Sequence, residues 1–525
     1  MPEIQIIFIL IFVAILLVGL AQKIRIPYPV ALVFGGASIG FIPGLPLITL
    51  NFNLLLFMVL PPILYYAAFD IAFREFQQNW KNIFSLALGL VLLTTVVVAC
   101  LFHWMFPQFP WALAFVFGAI VSPPDAITVT TLFKRFSIRS RLVTLLEGES
   151  LVNDATAIVL YNIAITALIS GHFSLVHGSI EFLQVALGGI LVGGVLGFAF
   201  QTFSKNHLEP VLGVVFSFVI PYVTYIVATF LGVSGVLAVV VNGLIGSRIL
   251  LTHHSSLRRV IGYATWDIFI ILLNAFVFIL IGLQLRTIAQ TMTLAQMITY
   301  SGYALLVALV MLAVRVIWVY SQIALSRLTT RQKGKPLISL AQHLRNGVLI
   351  AWSGMRGIVS LAIALALPIT MPDGTLVAGR NEVIFMTFVV ILLTLVIPGL
   401  TLPALVKWLK IQNTVQGYDE TSIRVELAKV ADEKLRHLLY AKSITHPEFD
   451  FLRKYFSSQH SILVMAHSHE HKLPGSERAR LKILHAQRKR LIEMWEVQEI
   501  DDKLLIHLEN ELDLIEVHTA RAELK

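Results

Sequence analysis

Long apolar runs fill the first 410 residues, and they leave few folds open. In hydrocarbon the backbone must satisfy its own hydrogen bonds, so a chain crosses as helices, each covering about 30 Å with about 20 residues. Runs of that order lie near residues 4–21, 28–46, 53–72, 82–106, 111–133, 143–170, 180–203, 208–230, 232–248, 263–285, 296–325, 344–370 and 384–406. A soluble chain carries about a quarter of its residues as charges, whereas this one has 14% charged and 57% hydrophobic residues. The expectation is an all-α membrane protein of thirteen transmembrane helices, residues 1–410, followed by a helical cytoplasmic tail, residues 411–525.

The charges support that count. Lys and Arg collect in cytoplasmic loops, and a missed or invented span would scramble their alternation. Seventeen lie in or beside loops after odd-numbered runs, and only Arg286 and Arg380 after even-numbered ones. This places the N-terminus outside and the tail in the cytosol. The same asymmetry explains a basic membrane part, with 23 basic and 12 acidic residues up to residue 410, without invoking nucleic acid. The single cysteine, Cys100, can form no intrachain disulfide. The opening MPEIQII lacks the basic region of a cleaved signal, so the first run reads as a retained span.

Thirteen spans divide as six, one and six, which suits two inverted six-helix repeats joined by a linker span. Spans 5 and 12 then correspond, and both are interrupted: the first by Ser122-Pro123-Pro124-Asp125, the second by Ser353-Gly354-Met355-Arg356-Gly357. Proline removes amide donors and glycine loosens a helix, so unwound backbone at mid-membrane depth is expected at both. Paired interruptions of this kind point to the substrate site of a transporter.

An ionisable side chain at the centre of a bilayer costs at least about 2.5 kcal/mol, so each one asks for a partner or a task. The candidates are Asp125, Glu147, Glu149, Asp154, Asp267, Arg315 and Arg356. Ser150 and Asp154 are four residues apart and share a helix face, with Asn153 beside them. A hydroxyl, an amide oxygen, a carboxylate and freed carbonyls would suit an alkali cation. The same carboxylate can hold a proton instead, provided it is taken out of water, where it would ionise near pH 4. Asp125 can build the same site or cap the second half of a broken helix. Glu149 reads as an ion-pair partner of Arg315 or Arg356, two arginines that stay charged and compensate buried acid. Glu147 suits a helix first turn and Asp267 a membrane interface.

At these residues the sequence resembles the monovalent cation:proton antiporters, in particular the bacterial form of the sodium/proton exchanger subfamily. The matching stretches are GAIVSPPDA (118–126), LLEGESLVNDATAIVLY (145–161), NAFVFILIGLQL (274–285), VRVIWVY (314–320) and SGMRGIVSLAIALALP (353–368). The resemblance implies an alternating-access exchanger with crossed broken helices, in which Asp154 takes cation or proton beside Asn153, Ser150 and Asp125. It implies that Glu149 pairs with a membrane arginine, Arg315 or Arg356. An Asn-Asp pair implies electroneutral one-for-one exchange of Na⁺, with Li⁺ or K⁺ as alternatives, in a homodimer of the bacterial inner membrane, with no cofactor. Two positions depart from the family pattern. Pro124 stands where many relatives carry threonine, and Tyr66 where a related run ends in an acidic residue, so K⁺ preference is the alternative selectivity.

Other classes fit less well. A channel would be expected to show a repeated pore motif, and an enzyme a nucleophile with its base or a metal cluster in the spans. In the tail, Leu505, Leu508, Leu512 and Ile515 recur at helical spacing. His467, His469 and His471 could bind metal or sense pH, although a solvated loop is the simpler reading.

Overall fold

A computed structural model describes residues 2–24, 26–42, 52–71, 73–126, 129–130, 132–133, 140–171, 175–253, 256–290, 292–332, 340–372 and 374–409, with isolated residues between 432 and 450. Its chain divides into two units, residues 1–413 and 414–525. The tail heptad-like leucines and the histidine cluster lie outside the described residues. In the second unit, Arg436 pairs with Asp432 one helical turn away, at 2.9 Å.

Among the described residues the first unit is built of helices, and its only β contact is an isolated bridge between Thr370 and Leu376. In chain order the helices are α1 (Pro2–Ile24), α2 (Tyr28–Gly40), α3 (Phe52–Asp70) and α4 (Phe73–Phe84). A π-helical turn at Ser85–Leu90 leads α4 into α5 (Val91–Met105), followed by α6 (Trp111–Val121) and α7 (Ser140–Ser170). Next come α8 (Leu175–His207), α9 (Pro210–Phe230), α10 (Gly235–His253) and α11 (Ser256–Ala289). Then α12 (Leu294–Gln332), α13 (Leu340–Trp352), α14 (Ile358–Leu365) and α15 (Arg380–Leu409) complete the unit. Seven helical stretches among the described residues are long and apolar enough to cross a membrane.

Outward-facing apolar side chains identify the solvent as lipid. On α8, Leu191, Val195 and Phe198 are each about two-thirds exposed, which would be untenable in water over so continuous a face. The interior is packed from α2, α5, α6, α11, α14 and α15, around residues such as Leu32, Phe102, Phe117, Phe278 and Phe388. Small residues let α2 and α11 meet backbone to backbone. A Cβ added to Gly36 would overlap the Ile279 carbonyl, and one added to Gly282 would overlap that of Val33, the close approach expected where lipid offers helices no hydrophobic drive to associate.

Two features of this frame position the site. α7 runs unbroken through Ser150, Asn153 and Asp154. On either side of it the chain loses helical form, at residues 122–126 after α6 and at residues 353–357 between α13 and α14.

Candidate functional site

The two breaks cross. The Asp125 amide donates to the Met355 carbonyl at 2.6 Å, one break using the other as its hydrogen-bond partner. Helix ends inside a membrane leave carbonyls that water cannot reach, and Arg356 meets several of them. Its Nε donates to the Val121 carbonyl at 3.0 Å, Nη2 to that of Ser122 at 3.3 Å, and Nη1 to that of Gly354. Its own amide donates to Thr394 Oγ1 at 3.2 Å. Gly357 is required for the approach, because a Cβ there would overlap the Asp125 carboxylate.

α7 braces the first break. Asn153 Nδ2 donates to the Pro124 carbonyl at 2.9 Å, and Ser150 Oγ accepts from the Ala126 amide at 3.3 Å. The side chain of Asn153 is fully buried, and its Oδ1 has no hydrogen-bond partner among the described residues. One turn away, Glu149 receives both arms of Arg315, at 2.5 and 2.8 Å, with both side chains at most 2% exposed. Arg315 Nε also donates to the Ile350 carbonyl at 3.0 Å. A bidentate, fully hydrogen-bonded pair is the arrangement that makes buried charge tolerable. Arg315 is thus the partner of Glu149, while Arg356 serves carbonyls at the ends of α6 and α13.

Asp125, Ser150 and Asp154, by contrast, are half-buried because they face a cavity of about 470 Å³. Asp70, Glu147 and Asp267 line the same cavity, so it is acidic along much of its depth. Tyr66, stacked on Trp266 with ring centroids 5.6 Å apart, donates its hydroxyl to Asp267 Oδ1. Asp267 therefore belongs to a cavity wall, a placement beyond the interfacial role its sequence position suggests. The arrangement offers a desolvated carboxylate with hydroxyl, amide and carbonyl oxygens around it. That set can hold a proton or a cation stripped of water, and the acidic wall favours cations of either kind.

Tyr28, Asn274 and Ser360 also border the cavity; the last two lie in the matched stretches 274–285 and 353–368, which gave them no role of their own. Asn274 stands alone as an amide in the apolar stretch ILLNAFVFILIG, and that isolation is the clue that would have found it.

The family model for the transmembrane part of the sodium/hydrogen exchangers matches residues 8–408. The chain belongs to the sodium/hydrogen exchanger family, a family of transporters. It is 29% identical to the uncharacterized Na(+)/H(+) exchanger YjcE of Escherichia coli, over 97% of this chain and 98% of that one. It is 30% identical to the sodium, potassium, lithium and rubidium/H(+) antiporter of Bacillus subtilis, over 83% of this chain and 70% of that one. The fold matches that of the sodium proton antiporter MjNhaP1 from Methanocaldococcus jannaschii with a TM-score of 0.62 at 21% identity, covering 78% of this chain and 99% of that one.

Proposed function

We propose that this protein exchanges Na⁺, with Li⁺ or K⁺ also accepted, for H⁺ by alternating access at Asp154. The observation that carries the reading is the half-buried Asp154, on an unbroken helix, facing the same cavity as Asp125 of a broken stretch and Ser150. Proton and cation compete for one carboxylate, so each replaces the other on whichever side the site is open, and the occupied site then turns to face the opposite side.

Asn153 cannot titrate, and Glu149 is held in both arms of Arg315. Asp154 is then the carboxylate of α7 at this depth left to change occupancy, which supports one proton for one cation and an electroneutral cycle. Thirteen crossings arranged as two inverted repeats, a homodimer, and an outside N-terminus complete the proposal. In that orientation the Asp70 end of α3 and the early turns of α7 and α11 face the cytosol, so Asp70 and Glu147 line the cytosolic part of the cavity.

The similarity to a relative named for potassium and rubidium as well as sodium favours broad selectivity, as does Pro124 in place of a hydroxyl-bearing residue. K⁺ preference is accordingly the second reading.

The test is reconstitution in liposomes with an internal pH dye. With a pH gradient imposed, Na⁺, Li⁺ or K⁺ should move protons where choline does not, and Asp154→Asn should abolish the response. A rate unaffected by an imposed membrane potential is expected for one-for-one exchange. Cation current without counter-transport of protons would replace this reading with a channel.

A further inference from the structure

Two buried oxygens in the cavity wall lie outside the residues used so far. Asn274 of α11 is 2% exposed and Ser360 of α14 is 1% exposed. Among the described residues, Asn274 Oδ1 and Ser360 Oγ have no hydrogen-bond partner. Both residues border the cavity that holds Asp125, Ser150 and Asp154. The Asn274 side chain lies beside Tyr28, and its amide oxygen has no partner among the described residues. Buried polar atoms are nearly always satisfied, so two orphans on one cavity wall call for a ligand that supplies what the protein withholds.

The rest of the site shows what that ligand lacks. An alkali cation that sheds water needs several oxygens in its place, and their number and field strength decide which cation is preferred. From α7 and the first break it can draw on the carboxylates of Asp154 and Asp125 and on Ser150 Oγ, which already accepts from the Ala126 amide. Pro124 has no hydroxyl to add.

We propose that Asn274 Oδ1 and Ser360 Oγ are ligands of the transported cation, contributed by the α11 and α14 wall, and that they set its selectivity; this rests on the exchanger reading. Neutral oxygens bind more weakly than carboxylates and favour large cations, whose dehydration is easier. A site losing them is left to its carboxylates and shifts toward Li⁺ and Na⁺.

The experiment uses the full-length protein in detergent, following thermal unfolding against Li⁺, Na⁺ or K⁺, with choline balancing ionic strength. Ser360→Ala and Asn274→Leu should raise the K⁺ concentration for half-maximal stabilisation about tenfold, equivalent to about 1.4 kcal/mol, and the Li⁺ value much less. Ser360→Thr, which keeps a hydroxyl, should stay within about threefold of the wild type. Folded variants with the wild-type concentration dependence for every cation would overturn the assignment and leave the exchanger reading standing. So would a lower midpoint in choline with unchanged cation dependence, the mark of a packing role. A wild type that no alkali cation stabilises and that moves no protons in liposomes would overturn both.

Discussion

The two interrupted stretches meet at one point but are made of opposite materials. The first, residues 122–126, holds two prolines and a carboxylate, Asp125. The second, residues 353–357, is freed by two glycines and carries an arginine. The Asp125 and Ala126 amides donate to Met355 and Ser150 and not back along α6, so the first break must find partners for its carbonyls elsewhere. One comes from α7, through Asn153 to Pro124. Others come from the second break, through Arg356 to Val121 and Ser122. The ends of α6 and α13 gather carbonyls and so carry partial negative charge, which a cation at that place offsets. The difference teaches a division of labour. Fixed positive charge compensates backbone, and the carboxylate of Asp154 faces the cavity.

Removing the positive half should have the largest effect. Arg356→Ala leaves three buried carbonyls without their donor, at about 1–3 kcal/mol each. The expected outcome is a sharp fall in folded yield and in the unfolding midpoint in detergent. Arg356→Lys should recover part of the loss, since it keeps the charge but not the fork of donors. A stable Arg356→Ala protein with normal folding would mean that the two breaks hold themselves open without it.

The steric half of the comparison is tested at Gly357. Gly357→Ala drives a methyl group into the Asp125 carboxylate, and overpacking of this kind costs about 1–3 kcal/mol. Exchange should fall about tenfold to a hundredfold while the folded yield changes much less. Loss of yield in step with loss of exchange would show that the glycine serves assembly alone.

A pH series sharpens the electrostatic half. If proton and cation share Asp154, the apparent cation affinity should weaken as pH falls, by up to about tenfold per pH unit once protons hold the site. An affinity constant between about pH 6 and pH 9 would remove shared-site competition.

How much of this was legible beforehand differs between the two breaks. The interruptions themselves were legible from Pro123-Pro124 and from Gly354 and Gly357, but proline pairs alone do not fix a break, since Pro61-Pro62 lie inside the continuous α3. The one-face placement of Ser150 and Asp154 also followed from helical spacing. The partner of Glu149 did not, because Arg315 and Arg356 both lie in apolar surroundings and pairing across 166 residues of sequence separation is set by tertiary packing. Nor did the carbonyl role of Arg356, which depends on where α6 stops, or the presence of Asn274 and Ser360 in the cavity, which depends on how α11 and α14 turn. Sequence period tells which residues share a face; it does not say what that face meets.

The smallest effect is expected at Pro124, and it separates the two materials most cleanly. The Pro124 carbonyl, which accepts from Asn153, survives substitution, and what Pro124→Ala restores is an amide donor. With Pro123 still in place and the Asp125 amide still committed to Met355 at 2.6 Å, the new donor cannot rebuild a continuous helix without breaking the crossing. Exchange in liposomes should therefore stay within about threefold of the wild type, under 1 kcal/mol. A loss as large as that of Gly357→Ala would mean that the first break is held by missing donors rather than by the contacts it makes, and that its likeness to the second break is closer than their residues suggest.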